Sequence, residues 1–299
     1  MKPETMRILA KPMLFAAALI WGASFFVMKD VGTYVPTFFL LAFRFTGGAV
    51  ILGLIGWKKW KLLNLDYLWR GALIGGLMFT AFTVMTFGLM GTTPSKNAFL
   101  TSVYCVLVPF FNWLVLKRKP DRFNIIAAVL CVAGVGFVSL NEAFGISWGD
   151  GLSLFSAIFY AAHIIGVEKV SKDHDIYFLT VLQFAFAALL AWVCGGIFQE
   201  FPPVEVFNSS IIIQLAYLIV FATSVALLFQ NVGQIWSDPA SAAVILSLES
   251  VFSVLFCLLL GKETLTGQLA VGFALIFVAV VCSETKFSFL RKKTPELKK

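Results

Sequence analysis

Apolar residues run along this chain in blocks of about twenty, separated by short polar links, and about twenty is the number a helix needs to cross a ~30 Å hydrocarbon layer. Ten such blocks can be drawn, at 12–29, 35–56, 70–91, 94–116, 122–140, 148–168, 175–198, 209–231, 237–260 and 266–284. The links carry turn chemistry: Gly32 with Pro36, Pro94, Pro120, Gly149 with Gly151, Pro202 with Pro203, Pro239, and Gly267. Only Pro109 falls deep inside a block. The pattern predicts an all-α integral membrane protein of ten transmembrane helices, with links too tight for a soluble domain.

Composition narrows the reading further. Of 299 residues, 60% are apolar and 13% charged, about half the ~25% charge of a soluble domain. Disorder, a coiled coil and a soluble enzyme are thereby excluded. The five cysteines (Cys105, Cys131, Cys194, Cys257 and Cys282) lie in apolar blocks without a CxxC pair, so neither disulfide nor metal is expected, and no cofactor. The net charge of +7 sits in short clusters between blocks, which suits a membrane surface better than nucleic acid. Lys2, Arg7 and Lys11 precede the first block as in a signal peptide, but that block contains Trp21 and runs to Met28 without a small-residue cleavage site. A retained first helix is expected. Of the 23 lysines and arginines, 19 fall on one side of the alternating links and three (Lys29, Lys96, Lys262) on the other, so both termini are expected in the cytoplasm.

The chain also matches itself. At a shift of 139, Trp21, Ser24, Lys29, Arg44 and Phe45 meet Tyr160, His163, Glu168, Gln183 and Phe184. At 145, Gly88, Pro94, Ala98, Ser102 and Tyr104 meet Gly233, Pro239, Ala243, Ser247 and Glu249, and at 144 Asn124 meets Gln268. A five-helix unit thus occurs twice, over 1–143 and 144–285, followed by a basic tail over 286–299. An odd number of helices starts the second unit from the opposite face, which relates the halves by a pseudo-twofold axis in the membrane plane. Such repeats suit a carrier that alternates between faces around one central site. A ring-like channel filter is not evident.

The first block, AALIWGASFFVMK, and the tracts TTPSKNAFLTSVYCVLVPFFNWLVLKRKP and SDPASAAVILSLESVFSVLFCLLLGKETLTGQLAVGFALI together resemble the EamA branch of the drug/metabolite transporter superfamily. The resemblance covers nearly the whole chain. It implies a ten-helix permease of the bacterial inner membrane that exports amino acids or other small metabolites. In this sequence Ser250 stands where the family usually has a proline, and Lys119 where it often has a glutamate.

Charged side chains at the bilayer centre cost ~2.5–3.5 kcal/mol on insertion scales, and only two lie well inside the blocks. Arg44 is about eight residues into the second, ~12 Å from its end at 1.5 Å per residue. It reads as an anion anchor or as a structural tie, as does its partner Gln183. Glu249 sits mid-block and, with His163, is the candidate for proton coupling; it also suits a substrate ammonium. Helical spacing adds stripes of polar residues: Ser153, Ser156, Tyr160 and His163; Asn97, Thr101 and Tyr104; Thr80, Thr83 and Thr86; Trp21 and Ser24; Glu249 and Ser253. From these, Trp21, Ser24, Thr83, Asn97, Thr101, Tyr104, Tyr160, His163 and Glu249 form the expected substrate site.

The expected function is secondary transport of a small metabolite by alternating access, with protons and the lipid bilayer as further partners, no nucleic acid, and a monomer or weak homodimer. The Gly71 and Gly75 spacing reads as internal packing. A structural or receptor-like membrane protein and an intramembrane enzyme are the alternatives. For the enzyme, HExxH and a phosphate loop are missing, and no catalytic residue is expected. A carrier requires Trp21, Tyr104, His163 and Glu249 to line one pocket, whereas a structural protein scatters them.

Overall fold

The computed structural model describes residues 3–117, 119–139, 147–237 and 239–285. The expected unit boundary at 143/144 and the tail over 286–299 lie outside the described residues. The described residues form helices α1 (Pro3–Gly32), α2 (Thr37–Ile55), α3 (Leu65–Met90), α4 (Pro94–Ser102), α5 (Tyr104–Leu116), α6 (Arg122–Ser139), α7 (Trp148–Ser171), α8 (Ile176–Phe198), α9 (Ser209–Tyr217), α10 (Ala226–Trp236), α11 (Pro239–Leu259) and α12 (Gly267–Thr285). A π-helical turn, Leu218–Val225, joins α9 to α10. Among the described residues no strand occurs.

Among the described residues, seven helical stretches are long and apolar enough to cross a membrane: Glu4–Gly32, Thr37–Ile55, Leu65–Met90, Pro94–Val115, Trp148–Ser171, Ile176–Phe198 and Ser209–Trp236. Three shorter apolar helices run over Arg122–Val138, Ile245–Leu259 and Gly267–Cys282. The chain is a multi-pass membrane protein. Large apolar side chains such as Leu54, Val132, Ile197 and Ile213 face outward, as a lipid solvent permits.

Helix starts follow local chemistry. Asn64, Ser147, Asp175 and Asn208 each accept the backbone N–H three residues on, at 2.9–3.1 Å, capping α3, α7, α8 and α9. Thr93 and Pro94 open α4, where proline at the first position loses no hydrogen bond. The expected fourth span is two helices, with its break at Val103 rather than at Pro109, which stays within α5.

The most extensive helix pairs join the first half of the chain to the second: α3 with α7 and α8, α1 with α11 and α10, α2 with α8, and α6 with α12. Exchanging each helix for its counterpart at the observed shifts maps this pairing onto itself. The α3–α7 pair becomes α10–α1, α1–α11 becomes α7 with α4 and α5, and α2–α8 and α6–α12 map onto themselves. Close approach along α3 depends on glycine: a Cβ on Gly71 would lie 2.6 Å from Leu182 Cβ, and one on Gly75 would lie 2.8 Å from the Gln183 carbonyl oxygen. Both glycines therefore seat α3 on α8 within the chain.

Gly76, one residue on, meets nothing within 4 Å. Gly75→Ala is expected to lower the unfolding midpoint in detergent, by about 1–3 kcal/mol of overpacking. Gly76→Ala is expected to leave it unchanged or raise it slightly, since alanine is the better helix former by ~1 kcal/mol. Equal midpoints for the two variants contradict the α3–α8 contact.

Candidate substrate site

Two apolar clusters fill the interior, one around α1, α2, α3, α8, α10 and α11 and one around α4 to α7 and α12, and Tyr160 packs against both. On the seam between them lies a cavity of about 550 Å³, the open space at its mouth included. Its wall holds Trp21, Tyr104, His163 and Glu249 together with Ser24, Arg44, Thr101 and Tyr160. Phe25, Met28, Phe82, Met85, Ile164, Leu227 and Gln230 complete it.

The wall carries the internal repeat. Trp21, Ser24 and Phe25 have Tyr160, His163 and Ile164 as counterparts at the shift of 139; Phe82, Met85 and Tyr104 have Leu227, Gln230 and Glu249 at 145. Twelve of the fifteen lining residues thus form six symmetric pairs, and only Met28, Arg44 and Thr101 lack a lining counterpart.

Arg44 is fully buried, so its side chain does not reach the surface. Its Nε donates to Thr223 Oγ1 at 3.1 Å and its Nη1 to Met28 Sδ at 2.9 Å, and the guanidinium sits 5.3 Å from the centre of the Phe82 ring. A thioether is a weak acceptor. Among the described residues Arg44 forms no ion pair, and neither does Glu249, whose carboxyl is hydrogen-bonded by Tyr104. Tyr160 lies within electrostatic reach of both charges. The Trp21 indole N–H donates to the Ala222 carbonyl at 2.8 Å, and Ser24 to the Trp21 carbonyl at 2.9 Å. His163 Nε2 lies 3.4 Å from Gln183 Oε1.

The break at Val103 ends one helix beside Thr101 and starts the next at Tyr104, so both reach the cavity. Ser153 and Ser156, lower on the stripe that ends in Tyr160 and His163, serve packing. Each bonds back to its own helix, and they meet Asn97 at 2.7 Å and Thr101 at 3.4 Å.

Three of the expected site residues are not on the wall. Asn97 spends its amide on the Met85 carbonyl and Ser153, tying α3, α4 and α7 together. Gln183 is buried behind His163. Thr83 is half-buried on α3 outside the lining, while Thr80 bonds back to Gly76 and Thr86 reaches Met28 Sδ.

Polar ties close the molecule at both ends. At one, Lys29 donates to the carbonyls of Leu89, Met90 and Thr92 at 2.8–3.0 Å, Thr92 bonds to buried Asp150, Lys96 pairs with Asp150 at 3.6 Å, and Glu263 accepts the Ser95 N–H at 3.0 Å. At the other, Lys59 pairs with Asp175, and His174 meets Asp66. Partly exposed ion pairs of this kind stabilise little and can break and re-form.

The sequence profile of the EamA-like transporter family matches residues 9–140 and again residues 147–285. The chain belongs to that family. An uncharacterized transporter of Archaeoglobus fulgidus is 34% identical over 282 residues, covering 92% of this chain and 85% of its own. The uncharacterized transporter YvbV of Bacillus subtilis is 24% identical, covering 90% and 89%, and the uncharacterized inner membrane transporter YedA of Escherichia coli K12 is 25% identical, covering 93% and 92%. A crystal structure with 19% identity superposes with a TM-score of 0.70 over 95% of this chain and 99% of its own, a likeness of fold. Family and relatives point to a transporter rather than an enzyme.

In this EamA-like transporter the sequence reading missed Gln230, a polar residue well inside its span and the counterpart of Met85; extending the 145 shift back along the third span reaches it. It also missed the apolar wall, whose residues look like any other core position. Asn97→Ala is expected to destabilise the protein by about 1–3 kcal/mol, the cost of two lost buried hydrogen bonds, seen as a lower unfolding midpoint in detergent. An unchanged midpoint contradicts the tie between α3, α4 and α7.

Proposed function

We propose that this chain is a ten-helix carrier of the cytoplasmic membrane, with both termini in the cytoplasm, that exports a small zwitterionic metabolite such as an amino acid by alternating access. One observation carries the reading: Arg44 and Glu249 line one cavity and neither has an ion-pair partner among the described residues. A buried charge without a partner is costly, and a solute bearing both signs supplies both partners at once. Arg44 takes the carboxylate, whose two oxygens fit the guanidinium fork better than a thioether does. Glu249 takes the ammonium, beside the rings of Trp21, Tyr104 and Tyr160, which suit a cation or an apolar side chain.

The three shorter apolar helices complete a count of ten, and the 19-to-3 distribution of basic residues supports the cytoplasmic termini. Alternating access is supported by the helix pairing that maps onto itself and by the six symmetric pairs on the wall, because each half then has the partner's conformation available to it. Export follows the family resemblance. Glu249 and His163 are the carboxyl and the imidazole on the wall, and a proton held by Glu249 competes with the ammonium for the same carboxylate, which couples the two.

The test uses purified protein in liposomes loaded with a pool of amino acids and related metabolites under a pH gradient, each solute followed by mass spectrometry. At least one zwitterion is expected to move. Arg44→Gln is expected to raise its half-saturating concentration about ten- to a hundredfold, and Glu249→Gln to remove the dependence on pH. Transport by Glu249→Gln with the wild-type pH profile sinks the proton role. Failure of any zwitterion to move through verified, folded protein sinks the substrate class.

A further inference from the structure

The repeat is broken at two places that touch. Arg44 has Gln183 as its counterpart, off the cavity wall, and the π turn Leu218–Val225 lies in a span whose first-half counterpart, α3, is continuous α-helix from Leu65 to Met90. A π turn is an α-helix with one residue inserted, rare and concentrated at functional sites. Here the Ala226 N–H goes to the carbonyls of Phe221 and Thr223 and passes over that of Ala222, which accepts the Trp21 indole instead. The Ser224 hydroxyl reaches back five residues to the Ile219 carbonyl at 2.8 Å, and Thr223, fully buried, accepts from Arg44 Nε. Two cavity side chains from the first half therefore hold this turn of the second.

We propose that the π turn exists to position Arg44, with Thr223 as the positioning residue. The inserted residue rotates what precedes it by about 100° relative to an unbroken helix, at 3.6 residues per turn. That rotation aims the Thr223 hydroxyl at Nε and frees the Ala222 carbonyl for Trp21. Thr223 then fixes the guanidinium plane from one edge while the Phe82 ring covers a face. Arg44 lines the cavity, and among the described residues the guanidinium's other hydrogen-bond partner is the Met28 thioether, which a carboxylate displaces as the better acceptor. Holding the fork before the solute arrives lowers the ordering cost of binding. This inference rests on the reading of Arg44 as the carboxylate anchor.

Efflux of the twenty standard amino acids from proteoliposomes, measured at graded concentrations, separates the two ideas. Thr223→Val keeps the shape and removes the acceptor; it is expected to raise the half-saturating concentration about tenfold or more while the maximal rate stays within about twofold. Thr223→Ser restores the wild-type value. Wild-type affinity in Thr223→Val beside a weakened Arg44→Gln overturns the positioning role alone. Wild-type affinity in both overturns the anchor as well. A solute-independent readout is amide hydrogen exchange over 219–227 in detergent. Arg44→Gln and Thr223→Val are expected to speed it about tenfold or more, and Thr223→Ser is not; unchanged protection in both overturns the proposal even where no pooled amino acid moves. Deleting the outward-facing Val220 restores an unbroken α-helix and is expected to reproduce the affinity loss of Thr223→Val.

Discussion

A guanidinium buried among apolar helices has to be surrounded by groups that accept its hydrogen bonds, and the interior of this transporter is arranged around how incompletely that is done for Arg44. The protein supplies one hydroxyl, one thioether and one aromatic face. It supplies no carboxylate among the described residues, although Glu249 stands on the same wall. A direct Arg44–Glu249 ion pair would stabilise the empty protein and close the cavity against solute. Keeping the two apart leaves a site that, on the proposed function, a zwitterion would complete. The helices must hold that separation, and the glycine contacts of α3 on α8 and the Asn97 tie between α3, α4 and α7 are among the means.

Symmetry and its violation divide the labour. The six paired wall positions place the cavity where the two halves meet. Three pairs are alike in chemistry, being aromatic or apolar on both sides, and three differ: Tyr104 corresponds to Glu249, Met85 to Gln230 and Ser24 to His163. Among the six pairs only Tyr104 with Glu249 includes a carboxylate, and Arg44 stands outside them. The polar ties at the two ends, Lys29 with the carbonyls of Leu89, Met90 and Thr92 and Lys96 with Asp150 at one and Lys59 with Asp175 at the other, are local.

Much of this was legible in the sequence. Apolar length located the blocks in which the helices lie, because a hydrocarbon layer fixes how long a span must be, and glycine and proline marked links for steric reasons that hold in any solvent, but neither showed the break at Val103. Trp21, Tyr104, His163 and Glu249 stood out because polar groups inside a span are expensive. The same logic singled out Asn97 and Thr83, which lie off the cavity wall, because a buried amide can be satisfied by a neighbouring helix as well as by a cavity, and spacing along one helix does not say which. Phe25, Phe82 and Leu227 were invisible as wall residues, since apolar side chains line a pocket and fill a core alike. The π turn left no mark in composition, as the insertion of one apolar residue among many changes no pattern.

The central claim is that one cavity is reached from both sides of the membrane in turn. In a cysteine-free background, Ser24→Cys places a single thiol on the cavity wall, and a membrane-impermeant maleimide is applied to right-side-out and to inside-out vesicles. Labelling from both faces, suppressed by a transported solute, is the result expected of a carrier. Labelling from one face only, under every condition of solute and pH, contradicts alternating access.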